Sequence, residues 1–507
     1  MRFAALALSL HCSRYLRLLP PVYNCVKMSS ISRPAKLSFL DFDAVGVDLD
    51  HTLCKYKLDN TFSLIYNSLA EVVVSRKGYS KELLEPFHKD RDFCTKGLVF
   101  DAKKGNFLKL SREGDILRAS HGTTPLSQDE VCRIYGSQAR WEHFDFLKDT
   151  LKQTGSFRYF ENYFDMPGCV VCARLVDIID RQAGKRQEEY TFWPDVLECF
   201  GLVYKRENFA DNIGGYFPAY KSDPLKYVEP CSDAVKGWFK KLKDAGKVTF
   251  LLTSSHVDYA ESLLENILGK DWQEYFHISM MYARKPGYFT KEQTERPFYS
   301  IVDNKEGDEV SEIQTGGKYL QGSIHTFNSY LKKMTGKENP KVAYFGDSVR
   351  SDVLPPQSVG WHPFLILEEM EAEGLGEEPV AGEQTDGPPI KRGKITGPST
   401  TEKEFITSSM WGSFLTDQTV LNIPDGSVHT GGDELDGQSD ANGLGDSQFH
   451  SLNTLWGYFI QTYVDVAIPQ LDYIADLPLD HQFSTFADAS HRSAGFYPQP
   501  PQTLQKK

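Results

Sequence analysis

The sequence has few of the features that mark secreted, membrane and nucleic-acid-binding proteins. Its nine cysteines are odd in number and show no repeated spacing, which disfavours a disulfide framework and favours a reducing compartment. No apolar run reaches the ~18 residues of a membrane-spanning helix, so we predict no membrane segment. Lysine and arginine total 56 against 69 acidic residues, a net charge of −13, which disfavours a nucleic acid polymer as a partner.

The chain is nevertheless long and apolar enough for a large core, with 507 residues of which 40% are hydrophobic. Residues 1–40 stand apart because they carry several basic residues and no acidic one. This N-terminal extension has the composition of a mitochondrial transit peptide, but a usual start at Met28 is the favoured interpretation. A signal peptide at residues 3–10 is disfavoured because no small-residue cleavage site follows. We predict a cytoplasmic protein, with a mitochondrial one as the alternative.

Alternating strand and helix patterns occupy residues 41–60 and 225–370, which we interpret as a catalytic core. Such alternation predicts an α/β fold in which a parallel sheet has helices on both faces. The patterns predict strands at Ala44–Val47, Val248–Leu252, 276–281, 341–345 and 364–367. Residues 61–224 are instead rich in aromatic residues and helical patterns, and Cys169 and Cys172 in this region are interpreted as buried core thiols.

Two stretches of low complexity follow the core. Residues 371–404 are rich in Glu, Gly, Pro and Thr, and residues 424–449 in Gly, Asp and Ser, so we predict a disordered linker and a disordered insertion. The rest of 405–500 contains aromatic and apolar residues, and we expect this C-terminal segment to pack on the core.

Polar residues that suit phosphoryl chemistry follow several predicted strands. Because the carboxyl ends of parallel strands share one crevice, we expect these side chains to meet despite their separation in sequence. They are Asp48, Asp50, Thr253, Lys285, Asp347 and Asp352.

The side chains fit a two-step displacement at phosphorus. Asp48 would be the nucleophile and form an acyl phosphate. Asp50 would protonate the leaving oxygen and then accept a proton from the attacking water. The Thr253 hydroxyl and the Lys285 ammonium would bind the phosphoryl oxygens and the substrate. Taken singly, each residue has a simpler interpretation, such as a helix N-cap or an exposed lysine, so the prediction depends on the whole set.

The same site needs a cation, because a phosphate dianion will not approach clustered carboxylates unaided. Mg²⁺ prefers oxygen ligands, and Asp48, the main-chain oxygen of Asp50 and Asp347 would supply them. Asp352 would orient the water ligands of the metal, although it could also simply begin a helix. We therefore predict Mg²⁺ as the cofactor.

These motifs and their order resemble the haloacid dehalogenase superfamily, whose first motif is a strand followed by D-x-D-x-T, here Asp48 to Thr52. The stretches 42–53, 251–255, 283–286 and 344–352 resemble the cytosolic purine 5′-nucleotidase family within it. The resemblance implies a Rossmann-like core with a mainly helical cap, here residues 61–224, inserted between the first two motifs. It implies a phosphomonoester hydrolase for a small phosphorylated metabolite, with a nucleoside 5′-monophosphate as a candidate.

One departure from that family concerns the cap. The family carries an Arg, an Asp and a His on a cap helix that faces the nucleotide, and Leu197, Gly201 and Tyr204 align with them here. Phe164 matches the aromatic residue that stacks on the base, and Ser254 adjoins Thr253 as a further substrate-binding residue. Phosphate chemistry is therefore retained, whereas the residues that recognise a purine nucleotide are replaced.

Two other functions stay open at this point. The acyl phosphate could pass to another alcohol, which would make the protein a phosphotransferase. Alternatively, a protein with this fold could turn over weakly or not at all and serve as a binding or scaffold protein. The sequence is also compatible with a homo-oligomer.

Overall fold

A computed structural model describes residues 33–137, 139–152, 154–290, 296–375, 403, 405–417, 449–490 and 494–506. The strands in chain order are β1 (Lys36–Leu37), β2 (Ala44–Val47), β3 (Lys55–Tyr56), β4 (Val99–Asp101), β5 (Asn106–Leu110), β6 (Ile116–His121), β7 (Thr124–Pro125), β8 (Phe157–Tyr159), β9 (Val228–Glu229), β10 (Val248–Leu252), β11 (Ile278–Met281), β12 (Phe298–Val302), β13 (Lys305–Val310), β14 (Lys318–Gln321), β15 (Val342–Gly346), β16 (His362–Ile366), β17 (Val466–Ile468) and β18 (Phe483–Ser484).

Helices connect most of these strands. In chain order the described α-helices are α1 (Leu58–Lys77), α2 (Gln128–Tyr135), α3 (Phe144–Thr150), α4 (Pro167–Ala183), α5 (Trp193–Val203), α6 (Arg206–Ala210), α7 (Tyr216–Ser222), α8 (Asp233–Asp244), α9 (Val257–Ile267), α10 (Ile324–Thr335), α11 (Leu354–Ser358), α12 (Glu369–Ala372), α13 (Leu455–Tyr463) and α14 (Asp472–Ala475).

The main sheet has nine strands in the order β13-β12-β14-β11-β10-β2-β15-β16-β17. The seven strands from β14 to β17 are parallel, and β12 and β13 form an antiparallel hairpin at one edge. Every residue of β2, β10 and β15 is buried, as expected for parallel strands covered on both faces. The predicted α/β fold with a mostly parallel sheet is confirmed.

The two faces of the sheet pack against different helices. Val45 and Val47 face a core that includes Trp238 of α8, whereas Ala44 and Phe250 face a core that includes Phe327 of α10. Gly46 lies on the second face, where an added Cβ would come within 2.1 Å of the Phe250 ring. Glycine at this position lets the Phe250 ring lie across β2 and pack against Phe327, with ring centroids 4.8 Å apart.

The region between β3 and β9 contains α1 to α7 and also a five-stranded antiparallel sheet in the order β7-β6-β5-β4-β8. The prediction of a mainly helical cap at residues 61–224 therefore missed this sheet. All residues of β4 and β5 are buried, so these strands lack the alternation of polar and apolar residues that marks a half-exposed strand. Cys169 and Cys172 of α4 are free thiols with no exposed surface, and burial raises the pKa of each.

The chain beyond 405 also contributes to the main body. β17 extends the main sheet through parallel pairing with β16, and β18 pairs with β1 near the N-terminus of the described chain. Asp417 ties this region to the antiparallel sheet, since its buried carboxylate accepts hydrogen bonds from Lys109 at 2.7 Å and from Arg118 at 2.8 Å.

Some predictions concern residues outside the described part of the chain. They are the N-terminal extension as far as residue 32, the linker from 376 to 402 and the insertion from 418 to 448. The predicted domain boundaries stay predictions. No described helix combines the length and the apolar character needed to cross a membrane.

Replacing Asp417 by alanine tests how strongly the C-terminal region is attached. The substitution leaves the buried Lys109 and the partly buried Arg118 without their shared carboxylate, so we expect the free energy of unfolding to fall by about 3–5 kcal/mol. Chemical denaturation measures this change. Glu338→Ala is the control, because its exposed pair with Lys332 should contribute less than about 1 kcal/mol. Equal losses in the two variants would contradict the prediction.

Candidate active site

Asp48 lies immediately after β2, the middle one of the seven parallel strands. Its backbone N–H donates to the carbonyl oxygen of Phe345 on β15 at 2.9 Å, which continues the sheet by one residue. The side chain is 10% exposed and its Oδ1 lies 2.9 Å from Nζ of Lys285. A carboxylate held in this way at the open end of a parallel sheet can attack a ligand in the crevice.

Asp50 lies two residues further on and accepts two short hydrogen bonds. Tyr56 donates its hydroxyl to Oδ1 and Ser255 donates its hydroxyl to Oδ2, each at 2.6 Å. Burial and the nearby charge of Asp48 raise the pKa of Asp50 to about 6, although the two hydrogen bonds oppose the shift. A carboxyl group with that pKa can both donate and accept a proton near neutral pH.

The turn after β10 carries three consecutive hydroxyl groups. Thr253 is 1% exposed, and its Oγ1 accepts a hydrogen bond from the backbone N–H of Ser255 at 3.1 Å. The Oγ of Ser254 accepts a hydrogen bond from the backbone N–H of Lys285 at 2.9 Å. The turn therefore connects the strand end at Thr253 directly to the segment that carries Lys285.

Lys285 is buried among acidic groups, with 2% of its side chain exposed. Its Nζ lies 2.5 Å from Asp352 Oδ1 and 2.9 Å from Asp48 Oδ1, and it donates to the Tyr344 hydroxyl at 3.0 Å. Burial acts to lower the pKa of the ammonium, but the charges of Asp352 and Asp48 outweigh it and the pKa is raised. Lys285 therefore stays charged at neutral pH.

Three buried carboxylates meet beside this lysine. One oxygen from each of Asp48, Asp347 and Asp352 lies within 4.8 Å of the others, an arrangement that could hold a metal ion. Burial raises the pKa of Asp347 well above its ordinary value, and the charges of Asp352 and Asp48 add to the shift. Burial likewise raises the pKa of Asp352 to about 7, with Lys285 opposing the shift. The raised pKa values mean that Lys285 alone does not offset the cost of burying these carboxylate charges together.

A cavity of about 420 Å³ opens above these residues, and the insertion forms much of its wall. Phe164 lines it and makes edge contacts with the rings of His51 and Tyr204, with centroids 4.8 Å and 5.9 Å away. Of the residues aligned with the nucleotide-facing helix, Tyr204 lines the cavity. Leu197 is 39% exposed, and neither Leu197 nor Gly201 is among the lining residues.

The structure thus brings all the predicted residues to one crevice, because Asp48, Asp50, Phe164, Thr253, Ser254, Lys285, Asp347 and Asp352 all line the same cavity. Sequence reasoning missed Tyr56 and Ser255, which hold Asp50, and Tyr344, which contacts Lys285. Ser255 could have been predicted from the sequence, because it adjoins Ser254, which was predicted as a substrate-binding residue. Tyr56 gave no signal because it lies between Lys55 and Lys57, outside any motif, and Tyr344 gave none because it lies within an apolar run that fits an ordinary strand.

The central sheet, the acidic residues at its carboxyl edge and the inserted region define a Rossmann-like α/β protein and are consistent with the haloacid dehalogenase superfamily. Residues 34–377 match the sequence profile of the 5′ nucleotidase family. The chain therefore belongs to the 5′ nucleotidase family, a family of phosphatases, as its motifs predicted.

Curated relatives support this assignment over most of the chain. It is 40% identical to the human 5′-nucleotidase domain-containing protein 1 across 91% of this chain and 96% of that protein. The protein of the same name from Bos taurus is 39% identical over the same shares. A Dictyostelium discoideum 5′-nucleotidase domain-containing protein is 28% identical over 69% of this chain and 57% of its own length.

Replacing Lys285 by methionine tests its role in the charge balance of the site. The substitution leaves Asp48 and Asp352 buried without their cation, so we expect the metal-free protein to lose about 3–5 kcal/mol of unfolding free energy. Denaturation in the presence of a chelator measures this loss. Lys333→Met is the matched control, because 73% of its side chain is exposed. A Lys285 variant within about 1 kcal/mol of wild type would contradict the prediction.

Proposed function

We propose that the protein is a Mg²⁺-dependent phosphomonoester hydrolase that acts through a phosphorylated Asp48. Its substrate is a small phosphorylated metabolite, and a nucleoside 5′-monophosphate is the first candidate. The observation that carries the proposal is the convergence of Asp48, Asp50, Thr253 and Lys285 at the carboxyl edge of one parallel sheet. Membership of the 5′ nucleotidase family supports the same reaction class.

In the first step, an Asp48 oxygen attacks the phosphorus and the bond from phosphorus to the ester oxygen breaks. Asp50 gives its proton to the departing alkoxide. In the second step, water attacks the phosphorus of the acyl phosphate, Asp50 takes the proton and Asp48 is released with inorganic phosphate. A pKa of about 6 suits Asp50 to both transfers, and the Tyr56 and Ser255 hydroxyls keep its carboxyl group oriented.

The charge of the transferring group must be balanced within the crevice. The Lys285 ammonium lies beside the Asp48 oxygen and can bind an equatorial phosphoryl oxygen as it approaches. The Thr253 and Ser254 side chains, at the end of β10, would donate hydrogen bonds to the other oxygens. Because these groups are fixed by the turn and by the buried acids, they need little reorganisation during the reaction.

The acidic cluster supports the choice of Mg²⁺. Asp48, Asp347 and Asp352 offer oxygen donors within 4.8 Å of one another. Burial raises the pKa of Asp347 and of Asp352. Among the described residues, no cation other than Lys285 contacts either of these two carboxylates. Asp48 and Asp347 would hold the ion and Asp352 would orient its water ligands, with the main-chain oxygen of Asp50 as a further ligand. When bound, the ion supplies the positive charge that lets a phosphate dianion approach the carboxylates.

The size of the cavity favours a substrate larger than phosphate itself. Its volume of about 420 Å³ gives room for an alcohol portion beyond the phosphoryl group, and Phe164 offers an aromatic edge or face for a base. Of the three aligned helix positions, Tyr204 lines the cavity whereas Leu197 and Gly201 do not, so recognition of a base would depend on Tyr204 and on residues outside that helix.

Asp48→Asn tests the nucleophile. An amide cannot form the acyl phosphate, so we expect kcat for phosphate release from a nucleoside 5′-monophosphate to fall by about a thousandfold or more. Asp244→Asn, an exposed position at the end of α8, should keep wild-type activity. If wild type and Asp48→Asn release no phosphate across a metabolite panel, the enzyme proposal is wrong and a binding role is favoured. Transfer to an added nucleoside in preference to water would instead identify a phosphotransferase.

Asp347→Asn tests the metal site independently of turnover. The change removes one anionic oxygen donor, so calorimetry should show Mg²⁺ affinity at least about tenfold weaker than in wild type. Asp244→Asn again serves as the control and should bind Mg²⁺ as wild type does. Equal Mg²⁺ affinity in the Asp347 variant would remove Asp347 from the ligand set.

A further inference from the structure

Four described lysine and arginine side chains line the cavity, and three of them have acidic partners. Lys285 contacts Asp48 and Asp352, as described above. Arg158 pairs with Asp165, and Arg206 lies 3.5 Å from Asp258. Each of these three cations has a carboxylate beside it. The fourth basic residue of the cavity differs from them.

That fourth cation is Arg350. Within the described residues, no carboxylate lies within 4.0 Å of its guanidinium, and the group donates no hydrogen bond. The side chain is half-buried and lines the same cavity as Asp48. A guanidinium in such a position has lost part of its hydration without gaining a protein partner, which is unfavourable unless a ligand supplies the counter-charge.

The backbone of Arg350 is held firmly although its side chain has no partner. It lies in a short π-helix, Val349–Val353, which follows Asp347 and contains Asp352. The N–H of Asp352 donates to the carbonyl oxygen of Ser348 at 2.7 Å. The N–H of Arg350 itself donates to Oε2 of Glu161 in the insertion at 3.2 Å. The π-helix therefore holds the backbone of Arg350 two residues before Asp352 of the acidic cluster.

Glu161 is the acidic residue that contacts Arg350, but it accepts a hydrogen bond from the backbone N–H and forms no ion pair with the guanidinium. It is 4% exposed, and burial raises the pKa of its carboxyl group even though the charge of Arg350 acts in the opposite direction. The carboxyl group of Glu161 therefore holds the backbone of Arg350 through the N–H at 3.2 Å and leaves the guanidinium without an ion pair in the described part of the chain.

We propose that Arg350 binds a second anionic group of the substrate, a carboxylate or a further phosphate, while the first phosphate lies at Asp48. The planar guanidinium donates two parallel hydrogen bonds to either group. A phosphate ester that carries such a second anionic group is then preferred over the otherwise matched ester that lacks it. This inference rests on the proposed function, because it assumes that a phosphate ester occupies the crevice.

The test compares matched compounds that differ by one anionic group. Glycerol phosphate is paired with phosphoglycerate, which adds a carboxylate, and adenosine 5′-monophosphate is paired with adenosine 3′,5′-bisphosphate, which adds a phosphate. For each pair, the ratio of kcat/KM is measured in wild type, Arg350→Gln and Arg350→Lys. Arg76→Gln, which removes one exposed arginine charge on α1 outside the cavity, is the control.

We expect wild type and Arg76→Gln to prefer the member with the second anion in at least one pair. Arg350→Gln should lower that preference by about tenfold or more, mainly through KM, and Arg350→Lys should restore part of it. The pair that responds identifies the anion as carboxylate or phosphate. The inference would be overturned if Arg350→Gln left the kcat/KM ratio of both pairs unchanged. An equal loss of kcat/KM for the two compounds of a pair counts as an unchanged ratio.

Binding keeps this test separate from that of the proposed function. Calorimetry with Asp48→Asn and with Asp48→Asn/Arg350→Gln gives the same affinity ratios without turnover. If the ratios depend on Arg350 but wild type releases no phosphate from any of the four compounds, the inference stands and the hydrolase proposal fails. If wild type hydrolyses them but neither the kinetic nor the binding ratio depends on Arg350, the hydrolase proposal stands and the inference fails.

Discussion

The ammonium group of Lys285 is the contact on which the site depends. It lies between Asp48 and Asp352, two buried carboxylates on the segments that follow the neighbouring strands β2 and β15. Lys285 itself lies on the segment after β11. Without it, carboxylates so close together would repel one another and take up protons. The charge of Lys285, which opposes the rise in the pKa of Asp352, is also available to a phosphoryl group, so folding and chemistry rely on one side chain.

The insertion and the core form the site jointly. The core supplies the acids, the hydroxyl turn and the lysine, whereas the insertion supplies the wall that contains Phe164 and Tyr204. Glu161 of the insertion accepts a hydrogen bond from the backbone N–H of Arg350, in the short π-helix that follows Asp347 and contains Asp352. The part that would select the substrate is therefore in contact with the part that would hold the metal.

Much of the core could be predicted because buried parallel strands are continuous apolar runs, and Ala44–Val47 and Val248–Leu252 have the predicted bounds. The fully buried strands β4 and β5 were missed because they show no alternation, and the three-residue strand β17 is too short to give a pattern. The roles of Tyr56 and Ser255 were missed for another reason. Ser255 is 205 positions from Asp50 along the chain, and only the folded sheet brings them together.

The edge strand β17 shows that the main sheet extends beyond the end of the family match. The match to the 5′ nucleotidase family ends at residue 377, yet the sheet is completed by residues 466–468, which pair with β16. A chain that stopped at the family boundary would present the backbone of β16 as an open, apolar edge, the kind of surface on which sheets aggregate. The region that matches the family profile is thus shorter than the part of the chain that completes the sheet.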